Sequence, residues 1–206
     1  MESRDGLGQP PLLTEDFAEA VIGRRIVGFE VNGLLAGRNS FGQVPLFMED
    51  ALYPPYSEGW QSLRRQARIP LLTGEKLEMV RGFRPFLDNQ AVDIIHPDLA
   101  FAGGITGTKK IADYAALTRT PLGLHSGPCS LIRFYASVHL SGAIQNFFKI
   151  ENALGEFRGF KEKMAASKQP VVRKSVMQYP DGPGLGLEIN EDWLRQHMAK
   201  GETWWG

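Results

Sequence analysis

The sequence predicts an α/β fold built as a partial (β/α)8 TIM barrel with a C-terminal extension. Three observations carry that prediction. From about Val44 to Leu154, short apolar runs alternate with amphipathic helical stretches, the pattern of parallel βαβ crossovers. Each apolar run is followed at once, or within three positions, by an ionisable residue: Glu49, Glu75, Asp98, His125 and Glu151. These five stand 26, 23, 27 and 26 positions apart, so a βα unit of nearly constant length repeats with a chemical group in the same phase. Parallel strand ends converge on one mouth in a barrel, whereas an open sheet spreads them out.

The elements follow in order. Val44–Met48 reads as a buried strand ending at Glu49, and Glu58–Ala67 places Trp60, Leu63 and Ala67 at helical spacing. Ile69–Thr73 is a second strand. Met79, Val80, Phe83 and Leu87 form the apolar stripe of the next helix. Val92–Ile95 is the third strand, followed by His96-Pro97-Asp98. Thr106 or Thr108 is expected to cap the helix that carries Ile111, Ala112 and Ala115. Pro121–Leu124 is the fourth strand. Ser130 to about Ala143 is a helix with Leu131, Phe134, Val138 and Leu140 at core positions, and Phe147–Ile150 is the fifth strand.

Three segments result: 1–43, an N-terminal region; 44–155, the barrel portion; and 156–206, an extension packing on it. In the extension, Glu156–Lys168 reads as a surface helix or loop and Val171–Tyr179 as extended chain. Pro180–Gly184 is a turn, and Asn190 caps a last helix reaching about Ala199. The tail Thr203-Trp204-Trp205-Gly206 is expected to dock on the body.

Composition narrows the class. The chain has 206 residues, of which 43% are hydrophobic, enough for a sizeable core. Its 23 basic and 23 acidic residues balance, leaving no net field to attract nucleic acid or an anionic membrane. The single cysteine, Cys129, excludes an internal disulfide and suits a reducing compartment. Residues 1–15 lack the apolar core of a secretory signal, and no run reaches the roughly 18 apolar residues of a membrane span. A cytoplasmic protein is the expectation, with self-association into a homo-oligomer left open.

The strand-end residues suggest specific chemistry. Glu49 and Glu75, on adjacent strands, are suited to share a hard divalent cation such as Mg2+, which prefers oxygen ligands; the alternative is helix capping or ion pairing. Asp98 and His125, on the next two strands, suit a hydrogen-bonded dyad in which the carboxylate orients the imidazole for general acid/base work near neutral pH. The alternative is a structural histidine. Glu151 stands on the far side of the mouth. His96 and His139 read as structural, one preceding Pro97 and the other lying within a helix.

Several stretches resemble the mandelate racemase branch of the enolase superfamily. They are Ile69-Pro-Leu-Leu-Thr-Gly-Glu75, Val92-Asp-Ile-Ile-His-Pro-Asp-Leu99 and Gly103-Gly-Ile-Thr-Gly-Thr-Lys-Lys-Ile-Ala112. Leu46-Phe-Met-Glu-Asp50 resembles the preceding strand, Gly123-Leu-His-Ser126 the seventh, and Asp181–Asn190 the region near the end, so that the likeness runs from about Val44 to Trp193. The resemblance implies that the chain holds about strands three or four to eight of such a barrel. It also implies that Glu49 and Glu75 match the second and third metal ligands, that Asp98 and His125 match the catalytic dyad, and that Glu151 matches the acid that hydrogen-bonds the substrate carboxylate. The implied reaction abstracts the proton α to the carboxylate of a small molecule, with Mg2+ as cofactor. A sugar-acid dehydratase is the leading expectation, in which the histidine then protonates a departing β-hydroxyl. A racemase of the same family is the alternative.

The family pattern also contains features not found here. Complete members carry a capping domain and a Lys-x-Lys or Lys-x-His base on strand two, and no such lysine motif precedes Glu49. Val27-Gly-Phe-Glu-Val-Asn-Gly33 resembles the strand-three sequence Asp-x-Asn-Gly, with Glu30 in the position of the first metal ligand, but only 19 positions separate it from Glu49. A full barrel takes roughly 250 residues in eight units, and Val44–Leu154 supplies about five. Either a partner chain completes the barrel, or the chain is a truncated, non-catalytic remnant, and weak activity at most is the expectation. A muconate-cycloisomerase or dipeptide-epimerase relative is disfavoured, because those relatives typically use a Lys from strand six, where this chain offers Asp98 and then His125.

Overall fold

The computed structural model describes residues 47–127, 130–151, 163–166 and 179–204. The N-terminal region with Glu30, the stretch 167–178 and most of the expected 156–168 helix lie outside the described residues, as do Cys129 and Trp205.

Five parallel strands form one sheet in sequence order: β1 (Met48–Glu49), β2 (Leu71–Thr73), β3 (Ile94–Ile95), β4 (Leu122–Leu124) and β5 (Phe147–Ile150). The pairing is Glu49 with Leu72, Thr73 with Ile95, Ile95 with Leu122, and Leu122 with Phe147. A bulge between Leu122 and Gly123 then brings Gly123 opposite Lys149. Between the strands run α1 (Glu58–Gln66), α2 (Met79–Asp88), α3 (Leu99–Ala102), α4 (Gly104–Leu117) and α5 (Leu131–Ser141), and α6 (Glu191–Gln196) follows near the C-terminus. This is the predicted α/β architecture, with every crossover connecting neighbouring parallel strands.

The sheet is strongly curled. Lys149 on β5 places its Nζ 4.2 Å from the ring centroid of Phe47, the residue just before β1. Four inter-strand steps of about 4.8 Å would separate these strands by roughly 19 Å in a flat sheet, beyond the reach of the two side chains. The concave face therefore folds inward as a barrel wall does, and the described residues form a partial barrel.

The core lies between the sheet's convex face and the helices. Trp60, Phe83, Phe86, Leu71, Ile95, Ile111, Ala115 and Leu122 are all fully shielded from water. Trp60 and Tyr56 both meet Phe86 edge-on, with centroids 5.3 and 5.4 Å away. Each such side chain contributes about 1.5–3 kcal/mol by leaving water, which explains why the apolar stripe of α2 faces the sheet.

The helix caps correct one expectation. Neither Thr106 nor Thr108 caps a helix; both lie inside α4, and Thr108 is buried. Asp98 instead caps the short α3, its Oδ1 accepting from the Ala100 N–H at 2.7 Å. Gly103 then turns the chain into α4 at φ 92°, a left-handed conformation that a side chain would resist. Asn190 caps the last helix as expected, its Oδ1 accepting from Trp193 N at 3.0 Å, and Ser130 also caps α5, its Oγ accepting from Arg133 N at 3.3 Å. In the tail, Trp204 lies beneath the Arg195 guanidinium at 4.7 Å. Among the described residues, no helix is long and apolar enough to cross a membrane.

Candidate active site

Backbone bonds continue the sheet's ladder just past the strands and fix the positions of the ionisable residues. Asp50 N donates to Leu72 O, His96 N to Thr73 O, His125 N to Pro97 O, and Glu151 N to Leu124 O, all at 2.8–3.0 Å. An isolated parallel bridge pairs Asp98 with His125. Glu49, Asp98, His125 and Glu151 thus leave the sheet at its ladder, and Glu75 follows two residues after β2, which suits a site that must hold its geometry.

His125 is the centre of the cluster. Its Nδ1 lies 2.7 Å from Asp98 Oδ2, and its Nε2 lies 2.9 Å from Glu75 Oε2 and 3.3 Å from Glu151 Oε2. Burial alone would lower the imidazole pKa, but the bonds to Asp98 and Glu75 and the charge of Glu151 outweigh it and push it up to about 10. Reciprocally, the His125 bond is the main cause that holds Glu75 down at about 2, helped by Lys76 at 2.8 Å and opposed by burial. Glu151 Oε2 also accepts from the Ser126 N–H at 3.1 Å.

Asp98 is fully buried and saturated. Besides His125 and Ala100 it accepts from Arg133 Nη1, at 2.9 Å on Oδ1 and 2.8 Å on Oδ2. Burial raises its pKa, yet these donors outweigh that and leave it below the ordinary carboxylate value.

Glu49 faces a different partner. Its Oε1 accepts from His96 Nδ1 at 2.8 Å, so His96, read from the sequence as structural, stands within the cluster. Burial raises Glu49 and the neighbouring Glu75 adds to that, but His96 outweighs both and its pKa falls below normal. The rise that Glu75 imposes on Glu49 marks the two glutamates as electrostatic neighbours.

The sequence reading also missed Asp50, Arg133 and Lys149. Asp50 accepts from Thr73 Oγ1 at 2.6 Å, and burial pushes its carboxyl up, with Glu75 and Glu49 adding to the shift. Lys149 lies two residues before Glu151, so the two-residue period of a strand puts both on one face; burial lowers its ammonium to about 8 against the pull of Glu49 and Glu151. Period two was the available signal for Lys149 and for His96, which stands two before Asp98. Arg133 carried none, because its contact depends on how α5 packs against α3, the helix that Asp98 caps.

As a donor set, Glu49 and Glu75 offer hard carboxylate oxygens on neighbouring strands. Mg2+ commonly takes only one or two protein carboxylates and keeps several waters, so these residues fit such an ion. Among the described residues, no group of three or more His, Cys, Asp or Glu side chains is arranged to hold a metal, and Glu30 lies outside the described residues.

Comparison with known proteins places this architecture. Residues 35–193 match the model of the enolase C-terminal domain-like family. The D-xylonate dehydratase of Haloferax volcanii is 32% identical over 157 residues, 76% of this chain and 37% of that protein. The D-galactonate dehydratase family member RspA of Pantoea ananatis is 33% identical over 167 residues, covering 77% and 38%. The crystal structure of a mandelate racemase/muconate lactonizing enzyme-like protein from Rubrobacter xylanophilus superposes with a TM-score of 0.71 at 28% identity, over 81% of this chain and 42% of that one. The chain thus spans about two fifths of the length of these relatives. It belongs to the enolase C-terminal domain-like family.

Proposed function

We propose that this chain carries the acid/base and metal-binding part of a sugar-acid dehydratase. The observation that carries the reading is His125, held through Nδ1 by a buried carboxylate while its Nε2 faces the acidic mouth. In this arrangement Asp98 fixes the ring's orientation and tautomer, and Nε2 is the atom that moves the proton. The carboxylates of Glu75 and Glu151 hold a proton on Nε2 in the structure; once they turn to partners of their own, the Nε2 of His125 would be free to lose that proton and then to remove the hydrogen α to the substrate carboxylate. The electron pair left behind expels the β-hydroxyl, which departs as water with a proton from the same imidazole. The enol that remains rearranges to a 2-oxo-3-deoxy acid. One imidazole on one face of the substrate would serve both transfers.

Glu49 and Glu75 would hold Mg2+, which when bound supplies Lewis-acid stabilisation of the charge developing on the substrate carboxylate. Glu151 would face the substrate carboxylate as the family's strand-eight acid does, its Oε2 oriented by the Ser126 N–H. Names of relatives that are sugar-acid dehydratases support this substrate class. The balanced charge and lone cysteine agree with a cytoplasmic setting.

The test is incubation of the purified chain with Mg2+ and a panel of aldonates, with detection of 2-oxo acids. Product that depends on Mg2+ and is lost in His125→Asn is the expected result. Product formed equally well by His125→Asn would remove His125 from this role. Epimerised substrate without loss of water would point to the racemase instead.

A further inference from the structure

His96 is more than a neighbour of the site. Its side chain is 5% exposed, and its Nδ1 is 2.8 Å from Glu49 Oε1. A carboxylate can only accept, so Nδ1 carries the hydrogen. The opposite nitrogen, Nε2, is buried and meets no hydrogen-bond partner among the described residues. Among those residues, Glu49 is therefore the ring's one hydrogen-bonding anchor.

The surroundings are shaped to accept the ring. A Cβ on Gly123 of β4 would stand 3.1 Å from His96 Cδ2, so glycine at that position leaves room for the imidazole against the strand. A Cβ on Gly74, after β2, would stand 3.0 Å from the His96 backbone nitrogen. On its far side, the His96 ring meets the His125 ring at 5.4 Å and 86°, an edge-to-face contact.

We propose that His96 is a positioning residue. Its Nδ1–H fixes the Glu49 carboxylate at the mouth, and its ring braces His125, tying the acid on β1 to the imidazole on β4. Partners of this kind orient a ligating carboxylate and set its affinity for the ion. The consequence for metal binding rests on the reading of Glu49 as a ligand, but the bond to Glu49 does not.

The experiment has two parts on the full chain. First, 15N NMR of the metal-free protein reads which ring nitrogens of His96 carry hydrogen. The expected result is a hydrogen on Nδ1, with a signal that moves in Glu49→Gln. A hydrogen-free Nδ1, or a signal indifferent to Glu49→Gln, overturns the proposal. Second, calorimetric Mg2+ titration compares His96→Asn, which keeps a donor near Nδ1, with His96→Phe, which keeps a ring but no donor. Affinity within about threefold of wild type for Asn and a loss of about 10- to 100-fold for Phe is expected, with thermal unfolding confirming that both are folded. Equal affinity in the wild type and His96→Phe also overturns the proposal. Absence of Mg2+ binding by the wild type would remove the ligand reading of Glu49, while the NMR result still decides the role of His96.

Discussion

Replacing Asp98 with asparagine keeps the side chain's shape and removes its charge. In the wild type, Oδ1 accepts from Ala100 N and Arg133 Nη1, and Oδ2 accepts from His125 Nδ1 and Arg133 Nη1. Asparagine can reproduce the first pair with its carbonyl oxygen. Its amide NH2 then occupies the Oδ2 position and meets two donors, so two charge-assisted bonds are lost, each about 1.5–3 kcal/mol. Breaking a fully buried pair costs about 3–5 kcal/mol. Arg133 keeps 21% side-chain exposure, so water can replace part of what it loses. The expected net cost is about 2–3 kcal/mol, which for a chain of this size lowers the unfolding midpoint by roughly 5–10 °C. The assay is thermal unfolding followed by circular dichroism at pH 7, paired with 15N NMR of His125, whose Nδ1 is expected to lose its hydrogen while Nε2 keeps the one it shares with Glu75. A midpoint within about 2 °C of wild type, with Nδ1 still protonated, would refute the reasoning.

Further outcomes follow from the same contacts. Trp60→Ala removes a fully buried ring that packs edge-on against Phe86, and denaturant titration should show a loss of about 3–5 kcal/mol. Ser130→Ala deletes the cap of α5 and should cost about 1 kcal/mol by the same measurement. The depressed pKa of Asp98 makes a stabilising contribution that is complete above its unfolded value near 4 and is lost as pH falls through the lower folded value. Acid titration of stability below pH 4 should therefore be steeper in the wild type than in Asp98→Asn.

The strands were legible because each combines a short apolar run with an ionisable residue at its end, and the parallel ladder then fixes those ends side by side. That is how Glu75, Asp98, His125 and Glu151 could be grouped before any coordinates, and the distances around His125 show them together. Helix α3 was less legible. Asp98 serves both as its cap and as the partner of His125, and Gly103-Gly104 looks like a loop unless the left-handed turn at Gly103 is recognised. The helix start was accordingly sought among the threonines, inside α4. His96 shows a different limit. Its spacing from Asp98 places it on the same face, but its partner is 47 residues away, two strands across the concave face, and spacing alone does not name that partner. Arg133 is hidden for the same reason, since it approaches Asp98 only through the placement of α5.

The central claim is that the Nε2 of His125 exchanges a proton with the carbon α to a substrate carboxylate. Solvent-deuterium exchange reports that event before any product is released. In D2O with Mg2+ and an aldonate panel, the account predicts deuterium at the α carbon of recovered substrate, or loss of the α hydrogen into product, that falls at least about 100-fold in His125→Asn. Exchange that proceeds unchanged in His125→Asn would contradict it.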